Sequence, residues 1–169
     1  MPVLRALPLS VEAFAPFGTL LGQPARVPSL ERGDITFWND TADLSGLRGS
    51  GVIGHLIAHR REPTLTRIER HLHTPEAFIA STGRSLLVVG EPGEGDPQQL
   101  QAFEISAGQA VLLHPGTWHW APYPLTEAAT FLLILRAETS EHDIEMRDVP
   151  AHRLEPPANE ASATSGPSP

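Results

Sequence analysis

The stretch Arg67-Ile-Glu-Arg-His-Leu-His73 carries the strongest chemical signal in the chain. Side chains alternate between the two faces of a β-strand, so a strand through this stretch would place Arg67, Glu69, His71 and His73 on one face. Such a row suits either the solvent-facing side of a sheet or a binding site. Two imidazoles two residues apart on a strand converge well on a metal ion. Glu76, close behind, could add a carboxylate oxygen.

A second informative stretch is Gly108-Gln-Ala-Val-Leu-Leu-His-Pro-Gly-Thr-Trp-His119. It predicts, in order, a turn at the glycine, a buried strand, a tight Pro-Gly turn and a strand beginning at Trp118. Taken alone, His119 between two tryptophans is also typical of a packed structural imidazole. A hairpin at the Pro-Gly turn can, however, bring His119 against the first histidine stretch. The sequence therefore predicts a metal site formed by His71, His73 and His119.

The composition predicts a single all-β domain. The chain has 169 residues, with 17 prolines and 14 glycines that punctuate short apolar segments, as in a β-sandwich or small barrel. Ser10 can cap one short N-terminal helix through Val11 and Phe14. The predicted strands are Ile35–Trp38, Val52–Ala58, Leu65–His73, Ala77–Ser81, Leu86–Val89, Leu100–Ile105, Ala110–Leu113 and Thr130–Leu135.

The residue inventory excludes several classes of chemistry. All 12 basic residues are arginines, so no lysine is present for a Schiff base or a phosphate loop. The chain contains no cysteine, which excludes thiolate nucleophiles and sulfur-ligated metals. A net charge of -8 argues against nucleic-acid and anionic-membrane surfaces. With no secretory signal and no apolar run long enough for a membrane span, we expect a cytoplasmic protein.

The C-terminal segment differs in composition from the rest of the chain. Residues 156–169 contain no large apolar side chain, so burial cannot offset the entropy lost on ordering. We expect a folded domain over residues 1–155 and a disordered tail after it.

The two histidine stretches resemble the paired motifs of the cupin superfamily. The matching residues are His71, His73, Glu76 and Gly83 in the first motif, and Gly108, Gly116 and His119 in the second. The resemblance implies a small β-barrel or jelly roll whose mouth holds the site, and it fixes no reaction.

A narrower resemblance runs from about Leu7 to Arg136. The ordered blocks LPLSVEAFAPFG, IERH, AFI, GQAV, GTWH and FLLILR are similar to the ureidoglycolate lyase family. That family splits ureidoglycolate into glyoxylate and urea in allantoin breakdown, is commonly dimeric, and has been described as dependent on a divalent metal. The chain departs from the family pattern at His73 and at Glu76, which stands in place of a glutamine.

The resemblance implies roles for individual residues. His71, His73 and His119 would hold a divalent ion, for which Ni, Zn, Mn and Fe are all suitable. Glu76 would be either a further ligand or the catalytic base, and Arg136 would anchor the substrate carboxylate through its planar donor fork. Independently of the resemblance, Glu69 is expected to pair with Arg67 or Arg84. A metal-dependent cupin acting on another small acid (dioxygenase, isomerase or decarboxylase) and a non-enzymatic ligand-binding cupin are the alternatives.

Overall fold

The computed structural model describes residues 1–22, 24, 26–93 and 99–158. Strands form 52% of the structure and helices 7%, which confirms the predicted all-β fold. The predicted tail lies outside the described residues from residue 159 onwards. No helix within these ranges is long and apolar enough to cross a membrane.

The described residues form fifteen strands and three short helical segments. The strands are β1 (Val3–Arg5), β2 (Leu7–Pro8), β3 (Gly18–Leu21), β4 (Leu30–Glu31), β5 (Thr36–Phe37), β6 (Gly51–His59), β7 (Thr64–Arg70), β8 (Glu76–Thr82), β9 (Arg84–Gly90), β10 (Leu100–Ser106), β11 (Ala110–Leu113), β12 (Trp118–His119), β13 (Tyr123–Pro124), β14 (Ala128–Arg136) and β15 (Glu145–Glu155). The helical segments are α1 (Val11–Phe14), a 3-10 turn (Ser45–Leu47) and α2 (Thr139–His142).

The predicted N-terminal helix is confirmed as α1. The Ser10 hydroxyl accepts a hydrogen bond of 3.2 Å from the backbone N–H of Ala13, which satisfies one of the free donors at the helix start. The helix buries Phe14 completely. The ring of Phe14 packs against Phe17 and Phe103, with ring centroids 6.0 Å and 5.3 Å away.

The larger sheet has eight strands and almost closes on itself. Its order is β1-β15-β7-β12-β9-β10-β2, with β13 also paired to β9. The strands at the two ends of this order, β1 and β2, are separated in sequence by Ala6 alone. Ala6 is buried with residues from β7, β9, β10 and β15, so the ring of strands encloses an apolar core of its own.

The second sheet has the order β3-β11-β8-β14-β6, and a second apolar core lies between it and the first sheet. Strand β9 contributes to both cores: Leu86 and Val88 join the core within the ring, whereas Leu87 and Val89 join the core between the sheets. This alternation explains why β9 is a continuous apolar run, since both of its faces are buried.

The turn that leads from β8 to β9 requires glycine. Gly83 has a φ of 76°, and a Cβ atom there would lie 2.8 Å from the carbonyl oxygen of Ala128. A side chain would therefore be both strained and in collision with backbone. This turn contains Gly83, the last matching residue of the first cupin-like motif.

The predicted extent of one strand is wrong. Strand β7 ends at Arg70, three residues before the predicted end at His73. The chain bends after His71 and enters the second sheet at Glu76, so residues 71–75 form the crossing between the two sheets.

Candidate metal centre

Two histidines and two glutamates come together beside the core between the sheets. The metal-ligating atoms of Glu69, His71 and His119 all lie within 4.8 Å of one another. One carboxylate oxygen of Glu76, Oε2, lies 3.1 Å from the Nε2 atom of each histidine. We call these four residues the His–Glu cluster.

Strand β12 brings the second histidine stretch to the first, as the sequence predicts. In the antiparallel pairing, His119 lies opposite Glu69 of β7 and opposite Val89 of β9. Residues directly opposite each other share a face of the sheet, and Val89 belongs to the core between the sheets. The His119 ring therefore points to that core, where its centroid lies 5.9 Å from the ring of Phe78.

The Pro-Gly turn before β12 fixes the distance between the two stretches. Gly116 has a φ of 86°, a conformation that favours glycine. Its backbone N–H donates a hydrogen bond of 2.6 Å to the carbonyl oxygen of His71. The hydroxyl of Thr117 donates to the carbonyl oxygen of Phe17 at 2.8 Å. These bonds lock the turn against the bend that follows β7.

Backbone carbonyls set the orientation of both imidazole rings. His71 Nδ1 lies 2.7 Å from the carbonyl oxygen of Asp143, and His119 Nδ1 lies 3.0 Å from that of Thr117. A carbonyl oxygen only accepts, so each Nδ1 carries the hydrogen. In a neutral ring each Nε2 atom then carries a lone pair, and both Nε2 atoms lie 3.1 Å from the same Glu76 oxygen. Such an arrangement is repulsive unless a proton or a cation lies between these atoms.

His119 Nε2 is a buried polar atom that lacks a hydrogen-bond partner among the described residues. The Glu76 oxygen is 3.1 Å away, close enough in distance but not in the direction that a hydrogen bond requires. Buried polar atoms are nearly always paired, and an exception calls for a functional explanation. An ion at the centre of the cluster would satisfy this atom.

The cluster favours a negative carboxylate beside a positive charge. Burial alone would lower the pKa of His71, but the hydrogen bond and charge of Glu76, together with the Asp143 carbonyl and the charge of Glu69, outweigh burial and raise that pKa. Burial would likewise raise the pKa of Glu76, yet the close contacts and charges of His119 and His71 lower it from 4.5 to about 2. A divalent cation bound at the cluster would supply positive charge in place of a proton.

The donor set and its spacing fit a divalent ion. Ligand atoms about 2.1 Å from an ion are about 3.0 Å apart at right angles and about 3.4 Å apart at the tetrahedral angle. The 3.1 Å separations between Glu76 Oε2 and the two Nε2 atoms lie in this range. Glu69 Oε1 is more distant, at 3.8 Å from His119 Nε2. Nitrogen and oxygen donors of this kind suit zinc, nickel, manganese or iron.

The structure does not bring His73 into the cluster. The prediction placed His73 on the same strand face as His71, but β7 has ended before either residue. The carboxylate of Asp143 accepts the backbone N–H of His73 at 3.1 Å and 3.2 Å, and this contact holds the bend. The side chain of His73 is exposed. The alternation of side chains therefore did not apply at this position.

Arg136 lies at the end of β14, paired with Gly51 of β6. Phe131 and Leu133 of the same strand face the core, so alternation directs Arg136 to the opposite face of the sheet. Its side chain lies over Gly49, where an added Cβ atom would be 3.2 Å from Arg136 Cδ. Within the described ranges its guanidinium has no hydrogen bond or ion pair, with the cluster or elsewhere.

Glu69 is the member of the cluster that the sequence interpretation missed. We expected it to pair with Arg67 or Arg84, but Arg67 pairs with Asp148 and Arg84 pairs with Glu104. The available signal was alternation along the strand, which already placed Glu69 two residues from His71 on the same face.

The comparisons with known proteins agree with these features. The sequence model of the family described as ureidoglycolate lyase matches residues 1–156. Ureidoglycolate lyase 2 of Rhizobium meliloti is 34% identical over 76% of this chain and 83% of its own length. For the ureidoglycolate lyase of Burkholderia cepacia the identity is 32%, with 80% of each chain covered. The ureidoglycolate lyase of Escherichia coli is 29% identical over 84% of this chain and 92% of its own length. The chain therefore belongs to the ureidoglycolate lyase family.

Proposed function

We propose that this lyase cleaves ureidoglycolate to glyoxylate and urea. The observation that carries the proposal is the family match over residues 1–156, which includes every strand and the whole His–Glu cluster. The position of this step in allantoin breakdown, and a cytoplasmic location, belong to the same proposal.

The reaction sets clear requirements on the site. The substrate carries a hydroxyl and a ureido nitrogen on the same carbon. As the hydroxyl loses its proton, the C–O bond becomes a carbonyl, the C–N bond breaks, and the departing urea nitrogen takes up a proton. The site must accept one proton, donate another, and stabilise the carboxylate and the developing negative charge on oxygen.

We propose that His71, His119 and Glu76 hold a divalent ion. When bound, such an ion would act as a Lewis acid and orient the carboxylate and hydroxyl of the substrate. Two backbone carbonyl oxygens accept the Nδ1 hydrogens of the histidines, which supports this assignment. Each Nε2 atom is thereby left with a lone pair that can bind the ion. His73, the third predicted ligand, is not retained because its side chain is exposed.

Glu69 and Glu76 differ in their suitability as a base. Glu76 is buried and has a pKa of about 2, so at neutral pH it has little affinity for a proton. The side chain of Glu69 is 23% exposed and lies beside His119. We therefore propose Glu69 as the group that takes the hydroxyl proton, and Glu76 as a ligand.

The proposal is tested by the products and the metal requirement of the purified protein. The enzyme, stripped of metal and then supplied separately with Zn, Ni, Mn or Fe, should release equal amounts of urea and glyoxylate from ureidoglycolate. A protein that forms neither product with any of these ions would not be a ureidoglycolate lyase.

One observation favours a different small acid as substrate. Glu76 stands where the family pattern has a glutamine, and it adds a negative charge to the cluster. A metal-dependent cupin enzyme with another hydroxy or keto acid substrate is therefore the second candidate. Metal bound in stoichiometric amount without urea release, together with turnover of such an acid, would favour it.

We expect Arg136→Ala to raise KM for ureidoglycolate by roughly 10–100-fold, the equivalent of one charge-assisted hydrogen bond, with little change in kcat. A residue that binds the substrate carboxylate stabilises the ground state and the transition state equally, so its loss weakens binding without slowing the chemical step. Because Arg136 lies at the end of β14 on the face opposite the core, the variant also tests whether the substrate carboxylate reaches that end of the sheet. Steady-state kinetics provide the measurement. Arg136→Lys is the control, since it keeps the charge and removes the planar fork. An unchanged KM in both variants would exclude Arg136 as the anchor.

We also propose that the chain forms a homodimer, and β6 supports this part of the proposal. This nine-residue strand lies at the edge of the second sheet and contains no charged residue and no proline. Exposed edges of this length usually carry such residues, which prevent pairing with another chain. In an antiparallel pair of β6 strands centred on His55, Ile53 of one protomer would lie opposite Ile57 of its partner. Both side chains are highly exposed, at 73% and 50%.

Ile53→Lys should convert the dimer to a monomer at micromolar concentration. An unpaired ammonium group buried at the interface costs several kcal/mol, which corresponds to more than a tenfold weaker association. Sedimentation or light scattering measures the change. Val27→Lys, at another highly exposed apolar position, is the control. A dimer that survives Ile53→Lys would place the interface elsewhere.

A further inference from the structure

Asp143 is a buried acidic residue that lies outside the His–Glu cluster. Only 3% of its surface is exposed. It follows α2 directly, and its backbone N–H donates to the carbonyl oxygen of Thr139 at 3.0 Å, which closes the last turn of that helix. Two residues later β15 begins at Glu145, paired with Arg70 at the end of β7. The position of Asp143 is thus fixed from both sides.

The side chain and the backbone of Asp143 hold different parts of the same segment. Its carboxylate accepts the backbone N–H of His73 at 3.1 Å and 3.2 Å and the hydroxyl of Thr74 at 2.7 Å. Its backbone carbonyl accepts the Nδ1 hydrogen of His71 at 2.7 Å. No arginine or histidine side chain neutralises the carboxylate within the described ranges. A buried carboxylate is therefore used to hold a bend of the backbone.

This arrangement links the ring of His71 to the backbone that leads to Glu76. Residues 73 and 74 lie between these two members of the cluster, and the same aspartate fixes the segment and the ring. If the carboxylate were lost, the bend and the Asp143 carbonyl would be free to move relative to each other. His71 could then exchange its Nδ1 hydrogen for an Nε2 hydrogen, which would leave Nε2 without the lone pair that a metal ion requires.

We propose that Asp143 is a positioning residue that fixes His71 as its Nδ1–H tautomer and directs Nε2 towards Glu76. The proposal rests on the proposed metal site for its consequence in metal binding, but not for the tautomer itself. Loss of a residue that orients a ligand typically lowers metal affinity 10–100-fold. Asp143 should therefore influence metal affinity although it contributes no ligand atom.

The test uses three variants and one matched control in the full-length protein. Asp143→Ala removes all three side-chain bonds, and Asp143→Asn keeps the shape but replaces one accepting oxygen by a donor group. Thr74→Val keeps the carboxylate but removes the 2.7 Å bond to it, together with the longer 3.5 Å contact between the hydroxyls of Thr74 and Thr139. Asp148→Asn is the control, because Asp148 lies on β15 but is exposed and pairs with Arg67.

Two readouts separate positioning from general stability. The first is Zn²⁺ affinity, measured by competition with a chelator at a temperature where every variant is folded. The second is the ¹⁵N shifts of the His71 ring in the metal-free protein, recorded at a pH high enough for the ring to be neutral, so that the shifts report the tautomer. We expect 10–100-fold weaker Zn²⁺ binding for Asp143→Ala, a mixture of His71 tautomers, and smaller changes in the same direction for Asp143→Asn and Thr74→Val. The control should stay within about twofold of the wild type.

The outcomes distinguish this proposal from the proposed function. If the wild type binds no metal, the metal site fails, and the tautomer shifts still decide the role of Asp143. If folded Asp143→Ala binds Zn²⁺ as tightly as the wild type and His71 keeps its Nδ1–H tautomer, Asp143 has no positioning role. Should Asp143→Ala fail to fold, the same two readouts on Asp143→Asn and Thr74→Val decide: unchanged affinity and tautomer in both would overturn the proposal.

Discussion

His71→Ala and His119→Ala should each deprive the protein of its divalent metal, whereas His73→Ala should leave the metal bound. The Nε2 atoms of His71 and His119 both lie 3.1 Å from the Glu76 oxygen, while the side chain of His73 is exposed. Removal of a ligand should weaken binding by more than the 10–100-fold that follows loss of an outer partner. Metal content after dialysis, and chelator competition, provide the measurement.

His73→Ala is a closely matched control, since it also removes a histidine side chain and lies only two positions from His71. Thermal unfolding of the metal-free variants shows whether each remains folded. Cleavage of ureidoglycolate should fall at least 100-fold in the two cluster variants, because both substrate orientation and charge stabilisation are lost. If His73→Ala loses metal as strongly as His71→Ala, His73 is a ligand, as the sequence predicts, and the metal centre is not confined to the His–Glu cluster.

Much of the fold was predictable because local signals coincide with the tertiary structure. Turn glycines such as Gly83, at a φ of 76°, mark places where no other residue fits easily. The apolar runs between these turns are long enough for strands and too short for ordinary helices. The approach of His119 to His71 was also predictable, because a tight turn leaves few paths for the strand that follows it.

The end of a strand is harder to predict. For this reason alternation misplaces the side chain of His73 but places that of Glu69 correctly. Alternation holds only while the backbone remains extended. Here the backbone bends after His71 because the carboxylate of Asp143, seventy residues later in sequence, binds the N–H of His73. Nothing local to His73 reveals that contact. Glu69 lies before the bend, so for this residue the alternation is valid.

Strand β15 shows a second limit to the prediction of strands from sequence patterns. Its eleven residues include Pro150 and several charged side chains, which is unlike a buried strand. The proline lies where the pairing with β7 shifts register, between Asp148 and His152, so it removes no regular hydrogen bond of the ladder. The strand is stabilised by its partners, β1 and β7, more than by its own composition.

Glu69→Gln and Glu76→Gln should affect catalysis in different ways. Glu69→Gln should lower kcat by roughly 10²–10⁴-fold, the usual cost of a lost general base, with metal content and KM almost unchanged. Glu76→Gln should lower metal affinity first, because it removes the negative charge that faces both Nε2 atoms. Steady-state kinetics, with metal content measured in the same samples, separate the two effects. Glu104→Gln, which alters a carboxylate paired with Arg84, is the control.

The physical basis for this division is the difference in environment between the two carboxylates. A carboxylate with a pKa of about 2, held between two imidazoles, binds a cation strongly and a proton weakly. Glu69 has 23% of its side chain exposed, so a substrate hydroxyl can reach it. If Glu76→Gln keeps its metal and loses turnover while Glu69→Gln remains active, the roles are reversed and Glu76 is the base, as one of the two interpretations of the sequence had it. Because the glutamine variants preserve the shape of both side chains, that result would assign the proton transfer to Glu76 without a change in packing to explain it.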